Sequence, residues 1–203
     1  MEKNFENIEN LEKQIHVKLR ELLSEKRYTH SINVAEKCRE LSKMHGLSQE
    51  DSNKAYIAGL IHDIAKKLPD DVLERMVRES KFEPDTVELT AQKLWHSVAG
   101  AEYITAVLNI NDYEIVNAVR YHTVARAEMT AVEKIVYIAD KISADRDYEG
   151  VDDYRRVAGI NLDWAMCELL KRSIGNGVIR GKRISMHTFK AYNYYVQKSK
   201  DME

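Results

Sequence analysis

Side chains able to ligate a metal are strung along this chain in a wide, ordered series. His30 comes first, then the adjacent pair His62 and Asp63, then His96, His122 and Asp140. Each lies in or beside a segment that reads as helix. Groups spread over more than a hundred residues cannot form a zinc finger or a local loop site. They meet only if a helical bundle folds them inward, which is how bundles build di-metal centres.

The composition points the same way. With 203 residues the chain reads as one domain over 1–203, long enough to bury a core. Pro occurs twice and Gly eight times, so composition forces few turns. The remainder is rich in Ala, Leu, Ile, Glu and Lys, which favours an all-α fold. A net charge of −2 leaves no electrostatic footprint for nucleic acid. Cys38 and Cys167 are far apart and read as buried thiols in a reducing compartment. The N-terminus lacks an apolar signal region, and no apolar stretch approaches a membrane span. The expectation is a soluble, cytoplasmic protein with no membrane partner.

Apolar spacing predicts the helices. Phe5, Ile8, Leu11, Ile15, Leu19 and Leu22 form one stripe over about residues 4–25. A second helix runs from about Thr29 and ends at Gly46. Ser48 caps a third, which carries Leu60, Ile61, His62 and Asp63 and stops before Pro69. Pro69 and Pro84 each start a further helix, the second running toward Lys93. Ser97–Leu108 is apolar, and its Gly100 permits close helix contact. Asp112 caps a helix ending near His122, and Thr130-Ala-Val-Glu133 matches a capping box. Two C-terminal helices are expected, near 161–174 and 188–199. No period-two alternation argues for a sheet.

A mixed histidine and carboxylate set suits Fe, Mn, Zn or Ni better than Mg or Ca. His62 and Asp63 are flanked by Leu60-Ile61 and Ile64-Ala65, which suggests partial burial, where an unpaired acid is disfavoured. Asp140 interrupts an apolar run in the same way; it has Lys141 or Lys134 as an alternative partner, and the metal reading is preferred. His16, His45 and His187 fall outside the pattern and read as ordinary helix residues.

Arg27-x-x-His30, His62-Asp63-x-x-Lys66, His122-Thr123 and Ala139-Asp140-Lys141-Ile142 together resemble the HD-domain superfamily. Within it the chain resembles the YqeK family of bacterial symmetrical dinucleoside tetraphosphatases. Arg146-Asp-Tyr-x-Gly-Val151 and His187-Thr188…Ala191-x-Asn193-Tyr194 extend the match from about Arg27 to the C-terminus. The resemblance implies an all-α HD fold with a di-iron centre, which splits diadenosine tetraphosphate into two ADP. By position it implies that His30, His62, Asp63 and Asp140 hold one ion. His96 and His122 would hold the second, with Asp63 bridging. Three positions depart from the family pattern. Ala125 stands where Gly is expected, Tyr192 where Arg is expected, and Ser143-Ala144-Asp145 where a Glu-Pro-Gly-like stretch is expected.

A polyphosphate substrate needs cations. Lys66 shares a helical face with His62 and Asp63, and the guanidinium of Arg146 can bind phosphate bidentately. Asp63, Lys66 and Arg146 are the expected catalytic residues. Arg27, Arg126, Lys141 and Asn193 are weaker candidates for substrate contact. Two other activities use the same ligand types: mononucleotide hydrolysis with a single metal, and oxygenation by a di-iron pair. A homodimer is left open.

Overall fold

The computed structural model describes residues 2–200, and the side chains of Phe5 and Ile8 fall outside those described. Among the described residues there are ten helices and no strand, as the composition predicts. The first three are α1 (Glu2–Leu22), α2 (Glu25–Met44) and α3 (Gln49–Ile61). The next four are α4 (Asp70–Arg78), α5 (Gln92–Ala106), α6 (Tyr113–Tyr121) and α7 (Ala131–Ile142). The last three are α8 (Val151–Ile160), α9 (Leu162–Ile179) and α10 (Met186–Lys200). No described helix is long and apolar enough to cross a membrane.

Local chemistry places most of the boundaries. Behind α2, the amide of Leu47 donates to the Ser42 carbonyl and that of Gly46 to the Lys43 carbonyl. With Gly46 at φ +65°, these bonds form a Schellman stop. The Ser48 hydroxyl accepts from the Asp51 amide, and Asp112 accepts from the amides of Glu114 and Ile115. Thr130 accepts from Glu133, but only half of the capping box forms, because the Glu133 carboxylate turns to Arg126.

Four boundaries differ from the sequence expectation. α1 ends at Leu22, and α2, capped by Ser24, begins at Glu25, four residues before Thr29. α3 ends at Ile61, so Asp63 lies beyond it in successive tight turns, in which Lys66 donates to the Asp63 carbonyl. The stretch after Pro84 makes turns rather than a helix. There Asp85 holds the amides of Val87 and Glu88 with one oxygen, and Ser185 and Met186 with the other. α8 goes unpredicted because its ten residues bury only Val151, Val157 and Ala158, too few for an apolar stripe.

The core is one large cluster running through α2, α3, α6, α7 and α9. α2 and α3 pack backbone to backbone at Gly59, where an added Cβ would stand 2.9 Å from Cys38 Sγ and 3.0 Å from Ala35 Cα. Gly100 lets α5 approach α6 closely, as expected, with the Val119 side chain (Cγ1) 3.2 Å from an added Cβ. These close contacts bring the inner ends of α2, α3, α5, α6 and α7 to one place.

Candidate metal centre

At that place the six ordered side chains converge. His30 comes from α2, His62 from the C-cap of α3, and Asp63 from the turn after it. His96 comes from α5, His122 from the C-cap of α6, and Asp140 from α7. The rings of His30 and His62 stand 5.3 Å apart, those of His62 and His122 5.0 Å, and those of His122 and His96 5.1 Å. The two carboxylates close this row. His30 Nε2 is 3.1 Å and His62 Nε2 3.8 Å from Asp140 Oδ1. Asp63 turns its Oδ1 to His96 Nε2 at 3.2 Å and to His122 Nε2 at 3.7 Å, while its Oδ2 faces His62 Nε2 at 3.7 Å.

The ring orientations fit a metal. His62 Nδ1 donates to the Gly59 carbonyl at 2.7 Å, and His122 Nδ1 to the Val119 carbonyl at 2.8 Å. This arrangement leaves the Nε2 lone pairs facing inward, the tautomer a metal requires. His62 Nε2 is buried and has no hydrogen-bond partner among the described residues. A buried polar atom without a partner calls for an explanation, and an ion among His30, His62 and Asp140, or among His62, Asp63 and His122, supplies one. Burial pushes the His62 imidazole down to about 4 and lowers His96 and His122 as well, so these rings are neutral near pH 7. Burial opposes the charge on Asp63 and Asp140, but the surrounding histidines and Lys141 prevail and hold both carboxyls well below their usual range.

The HD domain family matches residues 27–145, a span that contains all six candidate ligands. The chain belongs to the HD-domain family. The chain is 32% identical, over 89% of its length, to the symmetrical bis(5'-nucleosyl)-tetraphosphatase of Bacillus subtilis, of which it covers 95%. It is 33% identical, over 87% of its length, to the protein of the same name from Staphylococcus aureus, of which it covers 90%. Its fold is also that of a crystal structure from Clostridium acetobutylicum, described as a predicted HD superfamily hydrolase involved in NAD metabolism. The two superpose with a TM-score of 0.85 at 32% identity, covering 92% of this chain and 97% of the other.

Four of the expected cations ring the centre of the HD domain. Arg27 Nη1 is 2.9 Å from Asp63 Oδ2, and Arg146 Nη2 is 2.7 Å from Asp140 Oδ1. Lys141 Nζ reaches Asp140 Oδ2 at 3.2 Å and the His122 carbonyl at 3.1 Å, so Asp140 has both its lysine partner and its histidines. Lys134 pairs with Asp163 instead. Lys66 Nζ lies 2.8 Å from His96 Nε2 and 3.6 Å from Asp63 Oδ1, and burial lowers its pKa. Lys66 therefore reaches the site through turns rather than along a helical face.

Two expected residues are placed elsewhere. The Arg126 guanidinium is held by the fully buried Glu133 and lines a separate cavity with Phe82, Tyr113, Tyr121 and His187. Asn193 is exposed on α10 and makes no side-chain contact with the centre. The late motif works through Thr188, whose hydroxyl donates to the Val124 carbonyl and ties α10 to the loop after His122.

The sequence reading missed Asp145. Its Oδ2 lies 2.8 Å from His30 Nδ1, and Ser143 Oγ donates to its Oδ1 at 2.9 Å. It thus holds the far side of a candidate ligand ring, the arrangement by which a carboxylate orients a metal-bound histidine. Its position two residues after Ser143, where the family pattern differs, was the available signal. A third cluster, Asp85, Glu88 and His187, has its donors already engaged. Asp85 takes four hydrogen bonds, and Glu88 makes a buried bidentate pair with Arg120 at 2.6 and 3.0 Å.

Proposed function

We propose that this HD domain hydrolyses dinucleoside polyphosphates, splitting diadenosine tetraphosphate symmetrically into two ADP. In this reading it is a bis(5'-nucleosyl)-tetraphosphatase with two metal ions, iron foremost. The observation that carries the reading is the Asp63 carboxylate, set between His62 on one side and His96 with His122 on the other. A carboxylate offers one oxygen to each of two ions, whereas an imidazole serves one. His30, His62 and Asp140 would complete the first shell, and His96 and His122 the second. The near full-length likeness to two symmetrical tetraphosphatases supports the substrate. Two buried free thiols suit a cytoplasmic location.

Two such ions, when bound, activate a water and stabilise the charge that develops at phosphorus. The chain's own residues then position the substrate. Lys66 and Arg146 stand beside the two ligand carboxylates and offer cations to the oxygens of the attacked phosphate. Arg27 and Lys141 extend that positive rim over the rest of the polyphosphate. One water adds to a phosphorus next to the central bridging oxygen, and the bond from that phosphorus to the bridge breaks. The second ADP leaves with the bridging oxygen.

Hydrolysis of diadenosine tetraphosphate in labelled water, with products separated by chromatography, tests this. The expected result is ADP alone, with one heavy oxygen on only one ADP of each pair. ATP plus AMP would reject the symmetrical assignment. An inert dinucleotide, with phosphate released from mononucleotides by a one-metal protein, would favour the mononucleotide reading; oxygen consumption with a polyol would favour the oxygenase.

A further inference from the structure

A cavity of about 210 Å³ opens beside the centre, with Asp140 in its wall. Lys141, Arg146, Tyr148, Leu169, Arg172, Ser173 and Asn176 complete the lining. The α9 residues at 169, 172, 173 and 176 fall at i, i+3, i+4 and i+7, so they share one helical face. On a packed helix that spacing carries apolar residues, and in the first half of α9 it does, with Leu162, Ala165, Met166, Leu169 and Leu170 buried. Beyond Leu169 the stripe turns polar, with Arg172, Ser173 and Asn176, where it meets the cavity.

Of these polar groups Arg172 and Ser173 are half-buried and Asn176 is exposed, so all three are open to a ligand. No carboxylate lies within ion-pair distance of Arg172 among the described residues. Its guanidinium is instead seated on two rings, 4.0 Å from the Tyr148 centroid and 5.9 Å from that of Tyr154. Such stacking fixes a guanidinium while leaving its edge donors available. The side chains of Ser173 and Asn176 likewise make no hydrogen bond to the described protein. Lys141 and Arg146 bind Asp140, so a track of cations leads from a candidate metal ligand to Arg172.

We infer that this cavity seats the diphosphate arm of the nucleotide half that is not attacked, with Arg172 as its clamp. The inference rests on the proposed function and says where the rest of the substrate lies. The size of the cavity limits the choice. Pockets that enclose a whole drug-sized ligand run from roughly 300 Å³ upward, so this one takes phosphates and leaves the nucleoside outside it. Three cations in its wall select an anion, and the planar fork of Arg172 matches phosphate oxygens. Ser173 and Asn176 add neutral hydrogen bonds to the same group.

Steady-state kinetics on the metal-loaded protein test this, with diadenosine tetraphosphate as substrate and ADP as product inhibitor. Arg172→Ala should raise KM about ten- to a hundredfold, the range for one lost hydrogen bond to a charged group. Inhibition by ADP should weaken in step, with kcat, metal content and Tm close to wild type. Arg172→Lys should recover part of the loss, because it restores the charge without the fork. Asn176→Asp, which adds a negative charge to the cavity, should also raise KM. If both Arg172→Ala and Asn176→Asp leave KM and ADP inhibition within about twofold of wild type, the assignment fails. Loss of metal in Arg172→Ala would overturn it too, by making Arg172 a support of the centre. If the wild-type chain does not cleave the dinucleotide, the proposed function fails; calorimetric titration of ADP into wild type and Arg172→Ala still decides whether the cavity binds a diphosphate.

Discussion

At the scale of single residues, the centre depends on which atom each side chain leaves free. His62 spends Nδ1 on the Gly59 carbonyl and keeps Nε2 bare. His30 spends Nδ1 on Asp145. A contrast between two acids follows. Asp63→Ala should lose both metal ions, because its two oxygens face the two halves of the site. Asp145→Ala should weaken only the ion at His30, by about ten- to a hundredfold. Asp145→Asn should lose less, since an amide oxygen can still accept from Nδ1. Elemental analysis and chelator competition measure all three, and an Asp63→Ala protein that keeps two ions would refute the bridging role. Ala125 shows how a departure from the family pattern is tolerated. Its φ is +59°, a left-handed conformation that costs a non-glycine residue about 1–2 kcal/mol. Against that, its methyl is fully buried, worth about 0.8 kcal/mol. Gly would add a backbone entropy cost of roughly 0.5–1 kcal/mol. The opposing effects nearly cancel, so Ala is accepted where Gly is expected.

At the scale of elements, the distance between α2 and α3 sets the distance between His30 and His62. Gly59→Ala would press a methyl onto Cys38 Sγ and the Ala35 backbone, and backbone cannot swing aside. It should destabilise the fold by about 1–3 kcal/mol, seen as a lower midpoint in urea, and should weaken metal loading because both helices carry ligands. A protein that keeps its stability and its ions would show that the two helices can part without harm. Asp85 joins the turn after Pro84 to the start of α10 and predicts a pH effect. Burial pushes its carboxyl up, but hydrogen bonds from Ser185 and from the amides of Glu88, Met186 and Val87 outweigh this and hold it below the ordinary 3.8. The folded state therefore binds this proton less readily than the unfolded one. The stabilisation is fully present above about pH 4 and is lost as pH falls through the folded value. Asp85→Asn should thus be less stable than wild type at pH 7, with the gap narrowing at pH 3.5. An equal gap at both values would remove the carboxylate from this role.

At the scale of the whole molecule, the centre joins five helices that bring candidate ligands from positions 30 to 140, so metal should act as a staple. Stripping the ions with a chelator should lower Tm, and restoring them at about a hundred times Kd should return about 2.7 kcal/mol per site. An unchanged Tm would mean that the ions bind the folded chain no better than the unfolded one, and would refute the staple. Much of this architecture is legible in the chain alone. Helix content, the Ser48 and Asp112 caps, the Gly46 stop and the close contact at Gly100 all follow from side-chain chemistry acting within a few residues. The six candidate ligands stand out in the chain too, because acids and histidines inside apolar runs are disfavoured without a partner. The tertiary structure alone decided the rest, where partners come from far along the chain. It moved Asp63 off its helix, set Asp145 behind His30 across 115 residues, and turned a polar stripe of α9 toward the centre. Local propensity reaches one or two helical turns. Which distant charge neutralises which, and which polar face stays open for a ligand, is settled only when the helices pack.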